Sequence, residues 1–406
     1  MTTGNIFSSC TDDFEKLNTS NIQVDPADLP FAAQCTEPMT YCYPPQQNMF
    51  QFWTNLTIDL YGGYFMTPNG NFTNGDMGEN RGHSGGMYEN YYLHIFNNTR
   101  RIIAQCDASG ERGLSGVMRI VQAYGTLMTT DAYGPRPYSS ILSGENEVYF
   151  EFDSQKDLYK AMLEDLSTAI TDISAMGADE IAKLKSFDCW CNGDKDLWVK
   201  IANTMKLRMA LRLSKRETEA GNAGMNLKAI ATEAAQNTLA TVNKDILIDK
   251  SLENEMWLMF NWGDCGFNAN LVTIMSGTKD PRQPLYMTLN TGDIKNEAGT
   301  TTVAANSQYL GIRFASGLPA KPNSWGNFSG WIQGNNGSSY SMPLPIMKAA
   351  EAYFLLAEAK LRWDIGSESV KNLYENGIRV SMTNELAYRG AYAGIKEYPE
   401  GAVDAY

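Results

Sequence analysis

Three glycine- and asparagine-rich stretches of the sequence carry aromatic side chains among amide and carboxyl groups. The flat face of a pyranose presents C–H groups that Trp and Tyr rings cover while the edge of the sugar stays hydrated. Asn, Asp, Gln and Arg side chains then bond the sugar hydroxyls. The pattern predicts a saccharide-binding surface of loop aromatics, with the alternative that each ring packs its own loop onto the body of the protein. The candidate ligand-binding residues are Tyr64, Phe72, Trp262, Trp325 and Trp331.

Catalysis is the competing class of function, and the sequence offers little for it. The chain has only two histidines, and none of its 46 acidic residues stands in a recognisable catalytic motif. A glycosidase needs two carboxylates facing each other across a cleft, and a nucleophile elbow needs G-x-S-x-G, which is absent. In Asp280-Pro-Arg282 we expect an ion-paired turn rather than an active site. We therefore expect no catalytic residues, and a glycoside hydrolase is the less favoured reading.

The seven cysteines do not have the spacing of a metal site. Cys189 and Cys191 are one residue apart, whereas zinc sites use a gap of two to four residues and a second pair of ligands. We expect neither a metal nor a cofactor. Cys35 and Cys42 form a short disulfide loop in an oxidising compartment or remain buried free thiols, and the sequence leaves both readings open.

Composition and charge exclude other classes of partner. The net charge of −13 argues against binding nucleic acid or an anionic lipid surface, both of which need basic residues. Apolar residues make up 43% of the 406 residues, enough for a sizeable core. No run approaches the roughly 18 apolar residues that a membrane-spanning helix needs.

The candidate loops must be positioned by helices, because apolar residues recur at helical spacing through most of the chain. Segment Met347–Trp363 is apolar over most of its circumference and is expected to be internal, and Trp198 and Trp363 are expected in the core. Segments Trp257–Met287 and Ser316–Tyr340 are expected to be irregular. The predicted helices are Met49–Leu60, Met87–Cys106, Leu114–Thr130, Leu158–Ile173, a helix capped by Asp194, Leu227–Ala240, Ile346–Trp363 and Ser367–Met382.

Five motifs follow one another in an order that identifies a family. The chain resembles the SusD/RagB family, the surface glycan-binding lipoproteins of Bacteroidetes-type nutrient uptake systems. Each motif is a short helix or turn signature of that family. They are TTDAYGPRPYS at Thr129–Ser139, GDKDLWVKIANTMKLRMALRLS at Gly193–Ser214, SGTKDPRQPLY at Ser276–Tyr286, MKAAEAYFLLAEAKLRW at Met347–Trp363 and NLYENGIRVSM at Asn372–Met382.

The resemblance implies a fold and a role. The fold is mostly α, a SusD-like helical scaffold of tetratricopeptide-like hairpins with long irregular loops. The implied role is to capture an oligosaccharide or polysaccharide and hand it to a SusC-like TonB-dependent transporter, with the lipoprotein closing over the transporter as a lid and no chemistry on the ligand. An alternative is the same scaffold binding a peptide or a glycoprotein-derived glycan.

Cys10 is the expected lipid attachment residue. It lies in FSSC, which resembles a bacterial lipobox, and the acidic TDDFEKLN that follows is typical of a tether. A lipid there would hold the protein at the outer membrane, exposed at the cell surface. A signal peptide needs a basic start and an apolar core of about 7–15 residues, which MTTGNI does not supply, so we expect a mis-assigned start or a trimmed chain.

The expected division of the chain is a tether and irregular leading segment at residues 1–45, followed by one SusD-like domain at residues 46–406. Family members usually continue on the order of a hundred residues past the helix with the GI-x-x-S signature. They carry I-x-x-QKW and E-x-W-x-x-x-RR elements that this sequence lacks before Tyr406. We therefore expect a domain without its C-terminal part.

Overall fold

Helices form most of the folded chain. The computed structural model describes residues 29–43, 47–67, 72, 78, 80–144, 149–248, 255–295, 298–314, 327–332 and 342–406. The helices are α1 Phe31–Tyr41, α2 Gln47–Phe50, α3 Arg81–Ser84, α4 Gly86–Asn90, α5 Asn97–Ser109, α6 Arg112–Tyr133, α7 Ser139–Ser143, α8 Gln155–Ser174, α9 Ala178–Lys185, α10 Lys195–Arg212, α11 Glu217–Asn222, α12 Leu227–Ala234, α13 Glu255–Asn261, α14 Ala269–Gly277, α15 Gln283–Tyr286, α16 Ala349–Trp363, α17 Val370–Ala393 and α18 Ala402–Ala405.

Two segments are wound more widely than an α-helix. The π-helical segment Gln51–Asp59 continues α2, and Tyr91–Phe96 joins α4 to α5. Short 3₁₀ turns at Leu213–Arg216 and Leu239–Thr241 follow α10 and α12. Segments of π-helix are frequent at functional sites, and Gln51–Asp59 leads directly into the first aromatic loop.

The main helices pack as neighbours along the chain: α5 on α6, α6 on α8, α8 on α10, α10 on α12, and α16 on α17. The contact between α6 and α8 is close because α6 carries glycine there. A Cβ on Gly116 would lie 3.2 Å from the backbone of Ala169 on α8. The mostly α fold expected from the sequence is confirmed.

Polar side chains begin the long helices where the sequence places them. Asp194 accepts hydrogen bonds from the backbone N–H groups of Asp196 and Leu197, as its position predicts. Ser154 caps α8 and Ser369 caps α17 in the same way. Each such cap satisfies a backbone donor that the first helical turn leaves free and stabilises the helix by about 1 kcal/mol.

The main core lies between α5, α6, α8 and α10 and contains a stacked pair of indoles. The rings of Trp190 and Trp198 lie 5.2 Å apart and nearly parallel, and Trp198 is fully buried, as predicted. Their N–H groups donate to the Met39 carbonyl and to the Asp188 carboxylate. Because both indole donors are satisfied, the pair is buried without an unmet hydrogen bond.

Charged side chains connect the helices that carry the sequence motifs. Arg208 on α10 binds Glu351 on α16 through two parallel hydrogen bonds of 2.6 and 2.5 Å. Asp280 and Arg282 form the ion-paired turn that the sequence predicts, with Nη2 and Oδ2 2.5 Å apart. A bidentate guanidinium–carboxylate pair fixes geometry as well as adding energy. The Arg208–Glu351 pair therefore sets the register of α10 against α16.

The strands described are short and antiparallel, and they pair segments of the loops. The ladders are β1–β5, β2–β3, β4–β10, β6–β9 and β7–β8. The strands are β1 Phe65–Met66, β2 Arg136–Pro137, β3 Phe152–Asp153, β4 Ile246–Ile248, β5 Gly266–Phe267, β6 Met287–Asn290, β7 Ile294–Lys295, β8 Thr301–Val303, β9 Ser329–Trp331 and β10 Leu344–Met347.

Two segments expected to be irregular contain helices. Helix α1 lies within residues 1–45; its Cys35 and Met39, four residues apart, are fully buried although Pro38 stands inside the helix. Segment Trp257–Met287 holds most of α13 and all of α14 and α15. These helices are four to nine residues long, so they are too short to show a helical period in the sequence.

Three further expectations need correction. Helix α16 is not wholly internal, because Leu361 is 73% exposed and Phe354 also reaches solvent. Trp363 is half-buried, with its N–H donating to Glu217. The predicted helix Leu227–Ala240 ends at Ala234, where the chain turns.

The sequence left two alternatives open for Cys35 and Cys42. The structure shows both as buried free thiols rather than as a disulfide.

No helix within the described part of the chain is long and apolar enough to cross a membrane. The same residues contain no group of three or more His, Cys, Asp and Glu side chains placed to hold a metal ion.

Candidate functional site

The β1–β5 ladder positions two of the predicted aromatic residues. Phe65 on β1 pairs with Phe267 on β5, and the carbonyl of Tyr64 accepts a hydrogen bond of 3.0 Å from the N–H of Asn268. Trp262 lies four residues before β5 and directly follows α13. Its backbone N–H donates to the Leu258 carbonyl in that helix. Tyr64 and Trp262 therefore flank opposite ends of one short, paired segment.

Both rings present surface to solvent. Tyr64 is 53% exposed and Trp262 is 39% exposed. The turn before Tyr64 requires glycine: Gly63 has φ +74°, and a Cβ on Gly62 would lie 2.8 Å from the Tyr64 ring. The ring is therefore held against a turn that only small residues can form.

The polar neighbour of this turn is Asn270. Its side-chain nitrogen lies 3.8 Å from the position that a Cβ on Gly63 would take, and its N–H donates to the Asn268 side chain at the start of α14. A carboxamide beside an exposed Tyr ring supplies both a donor and an acceptor for hydroxyl groups. The sequence analysis did not single out Asn270, although Asn268 and Asn270 flanking the start of a helix are a visible cap signal.

The ladder rests on buried polar pairs. Gln51 donates to Asp264 at 3.0 Å, and Asn55 lies 3.3 Å from the Cys265 sulfur. Burial raises the pKa of Asp59, on the same π-helical segment, to about 7. Burial also raises the pKa of the Cys265 thiol, which therefore stays protonated and unreactive at neutral pH.

The Phe72 side chain packs against the body of the protein. Its ring meets His83 edge-on at 5.7 Å, and His83 stacks on Phe52 of the π-helical segment at 4.4 Å. Burial lowers the pKa of His83, so the imidazole is neutral at physiological pH. This arrangement is the loop-packing alternative that the sequence left open. Nearby in the chain, the Tyr61 hydroxyl donates to the Gly78 carbonyl at 3.1 Å.

Trp331 is a core residue, which corrects its prediction as an exposed platform. It is 6% exposed, stacks on Phe267 at 6.1 Å, and faces the Arg389 guanidinium at 5.6 Å. Strand β9 turns the ring inward because β9 pairs with β6 over a second hydrophobic cluster, which includes Phe50, Met259 and Met287. A ring enclosed in this way offers no face to a ligand. Trp325 and Cys10 lie outside the described residues.

A separate groove of about 570 Å³ lies between the Tyr91–Phe96 segment and α7. Tyr88, Tyr92 and Phe150 line it together with Asn97 and Arg100. The sequence analysis did not select these residues. The signal available was two tyrosines four residues apart, a spacing that places them on one helix face.

Known proteins resemble this chain over nearly its whole length. A family model described as "SusD-like: Susd and RagB outer membrane lipoprotein" matches residues 15–401. A SusD-like protein from Bacteroides thetaiotaomicron VPI-5482 is 25% identical with a TM-score of 0.73, over 93% of this chain and 72% of that one. No curated protein matches the sequence.

Two further solved structures share the fold. A SusD homolog from Bacteroides ovatus ATCC 8483 is 25% identical with a TM-score of 0.73, over 92% of this chain and 72% of that chain. A chitin-binding SusD homolog from Flavobacterium johnsoniae is 23% identical with a TM-score of 0.75, over 92% and 72% of the two chains.

Proposed function

Because this chain belongs to the SusD-like family of outer membrane lipoproteins, we propose that it captures an oligosaccharide at the cell surface and delivers it to a SusC-like TonB-dependent transporter. The observation that carries this proposal is the family match over residues 15–401. Support for a saccharide ligand comes from the fold shared with a chitin-binding homolog and from the exposed rings of Tyr64 and Trp262.

The proposed binding surface consists of Tyr64, Trp262 and the amide of Asn270, with Trp325 as a further candidate from the sequence. Each exposed ring covers the C–H face of one sugar, and the amide bonds a hydroxyl. The β1–β5 ladder and the buried Gln51–Asp264 pair hold the backbone beneath these groups. A surface fixed before the ligand arrives loses little conformational entropy on binding, which favours affinity.

Binding without chemical change is the proposed mode of action. Of the carboxylates near this surface, Asp264 is occupied by a hydrogen bond from Gln51. Glycoside hydrolysis needs two carboxylates facing each other across a cleft, and the sequence offers no recognisable catalytic motif that would supply them. Release of the ligand is then left to the transporter partner.

Membrane attachment is proposed through a lipid on Cys10, with residues 1–45 as the tether and residues 46–406 as the binding domain. The family described by the matching model consists of outer membrane lipoproteins. The net charge of −13 disfavours direct adhesion to an anionic lipid surface, so a covalent lipid is the better means of attachment. The domain would then close over its transporter as a lid.

The experiment that tests this function is a binding screen on an array of glycans and glycopeptides, with the same samples assayed for released sugar. We expect binding to one class of oligosaccharide and no release. Binding only to glycopeptides or peptides would replace the ligand class with the alternative. Release of reducing sugar would contradict the capture role in favour of hydrolysis.

A further inference from the structure

The groove lined by Tyr88, Tyr92 and Phe150 is distinct from the loop surface around Tyr64 and Trp262. One wall is formed by the end of α4 and by the π-helical segment Tyr91–Phe96. The opposite wall is formed by α7 and by Phe150, which precedes β3. The groove is open to solvent, and its volume of about 570 Å³ falls within the range of small-molecule sites.

The aromatic lining is held in place by hydrogen bonds and ring contacts. Tyr92 donates its hydroxyl to the Pro137 carbonyl at 2.7 Å. The centre of the Tyr88 ring lies 5.0 Å from the centre of the Tyr92 ring. It lies 5.7 Å from the centre of the Tyr133 ring, which it meets edge-on. These contacts fix both rings at the groove wall, so they are available as preformed contact surfaces rather than as flexible side chains.

One arginine lines the groove, and a second is buried against the ring of Tyr88, one of the lining residues. Arg100 is exposed at the rim, and its Nε donates to Asn97 at 3.2 Å. Arg136 is fully buried, with its guanidinium 5.3 Å from the centre of the Tyr88 ring and 4.8 Å from that of Tyr91. Neither arginine has a carboxylate partner among the residues that the structure describes.

The buried guanidinium is incompletely bonded. Arg136 donates through Nη1 to Thr129, whereas its Nε and Nη2 atoms find no acceptor among the described residues. An unpaired buried charge costs several kcal/mol of desolvation, which the two cation–π contacts offset only in part. The net charge of −13 makes this local positive charge, with Arg136 beside Tyr88 and Arg100 in the groove lining, stand out from the rest of the protein.

From these contacts we infer that the groove binds a carboxylated saccharide, with Arg100 on the carboxylate and Tyr92 and Phe150 against the sugar ring. Asn97 supplies the hydroxyl contact beside Arg100. This inference rests on the proposed function, since it names a second saccharide site on the same protein. The expected ligand of this second site is an acidic sugar, either a uronate or a sialic acid.

The test measures binding of tri-galacturonate by isothermal titration calorimetry, beside its fully methyl-esterified form, which keeps the rings and removes the charge. A second pair, 3′-sialyllactose and lactose, distinguishes the two sources of carboxylate. We expect one acid to bind at least about tenfold more tightly than its uncharged counterpart. The difference should shrink as salt is raised.

Variants then locate the site. Arg100→Gln should remove most of the preference for the acid, and Phe150→Ala should weaken the acid and the ester by similar factors. Arg112→Gln is the matched control, because it removes one exposed charge at the start of α6. It should leave the affinity unchanged.

Three results would overturn the inference: equal affinity for the acid and its ester, acid binding that Arg100→Gln does not alter, or no binding of either acid by a protein that still binds neutral glycans. In the last case the proposed function stands and only the groove assignment fails. A protein that binds no saccharide of either kind would contradict the proposed function as well.

Discussion

The indole of Trp331 is enclosed by Phe260, Phe267 and the Arg389 guanidinium, whereas the indole of Trp262 reaches solvent at the end of α13. Enclosure gives Trp331 the energetic role of a core residue, because the burial of a large aromatic ring contributes several kcal/mol to folding. Trp262 keeps exposed ring area that a ligand can cover. We therefore assign Trp331 to stability and propose Trp262 for binding.

Trp331→Ala should destabilise the protein by about 3–5 kcal/mol, the usual cost of deleting a large buried ring. Trp262→Ala should cost less than about 1 kcal/mol, because part of that ring is already in water. Urea unfolding followed by circular dichroism measures both variants. Comparable destabilisation by the two substitutions would contradict the assignment of one ring to the core and the other to the surface.

The division between the two residues was not visible in the sequence. Trp262 and Trp331 both stand near glycine and asparagine, and no helical or strand period surrounds either. What separates them is that β9 pairs with β6 and turns Trp331 onto Phe267. A pairing between segments some forty residues apart leaves no local signal, whereas Trp198, on a periodic helix, was correctly predicted to be buried.

The charged cluster between α16 and α17 holds these two helices in register. Glu385 on α17 is 3% exposed and accepts from Lys348, from the Tyr388 hydroxyl at 2.5 Å and from Arg389 at 2.6 Å. Burial of Glu385 raises its pKa, but the charges of Arg389 and Lys348 outweigh this effect and lower the pKa to about 2. The carboxylate therefore stays ionised throughout the physiological range.

This shift predicts an acid-dependent stability. Because the pKa of Glu385 is lower in the folded protein than the usual 4.5, its contribution is fully present above about pH 4.5 and is lost as the pH falls toward 2. The contribution is on the order of 3 kcal/mol. Glu385→Gln should lose about this amount at pH 7 and flatten the decline between pH 4.5 and 2, as measured by urea unfolding across pH.

The same helix supplies a control. Glu375 pairs with Lys371 at 3.7 Å on the exposed face of α17, where an ion pair is worth less than about 1 kcal/mol. Glu375→Gln should change stability little and leave the pH profile as in the parent protein. If Glu385→Gln behaved like this control, the buried cluster would not be what holds α16 to α17.

Elements differ in how well a sequence predicts them. Helices α6, α8 and α10 have lengths of 18 to 22 residues, so their apolar period repeats several times and their existence is predictable. The β1–β5 ladder has two residues in each strand and offers no period at all. The candidate site is built on this ladder, so its position had to come from the folded chain.

At the scale of the whole molecule, a helical body holds short strand pairs that set the loop aromatics in place. The five motifs that identified the family fall mainly on this body: Arg208 of the second motif binds Glu351 of the fourth, and Asp280 binds Arg282 within the third. The motifs therefore record how the scaffold is assembled. They predicted the fold well, whereas the residues proposed to contact a ligand lie in the loops between them.

The proposed capture of an oligosaccharide at the surface formed by Tyr64 and Trp262 is most directly tested by calorimetry with the glycan selected on the array. The double variant Tyr64→Ala/Trp262→Ala should bind at least about tenfold more weakly than the parent. Tyr374→Ala, which removes an equally exposed ring from α17, should bind as tightly as the parent. Unchanged affinity in the double variant, or an equal loss in the control, would contradict the account.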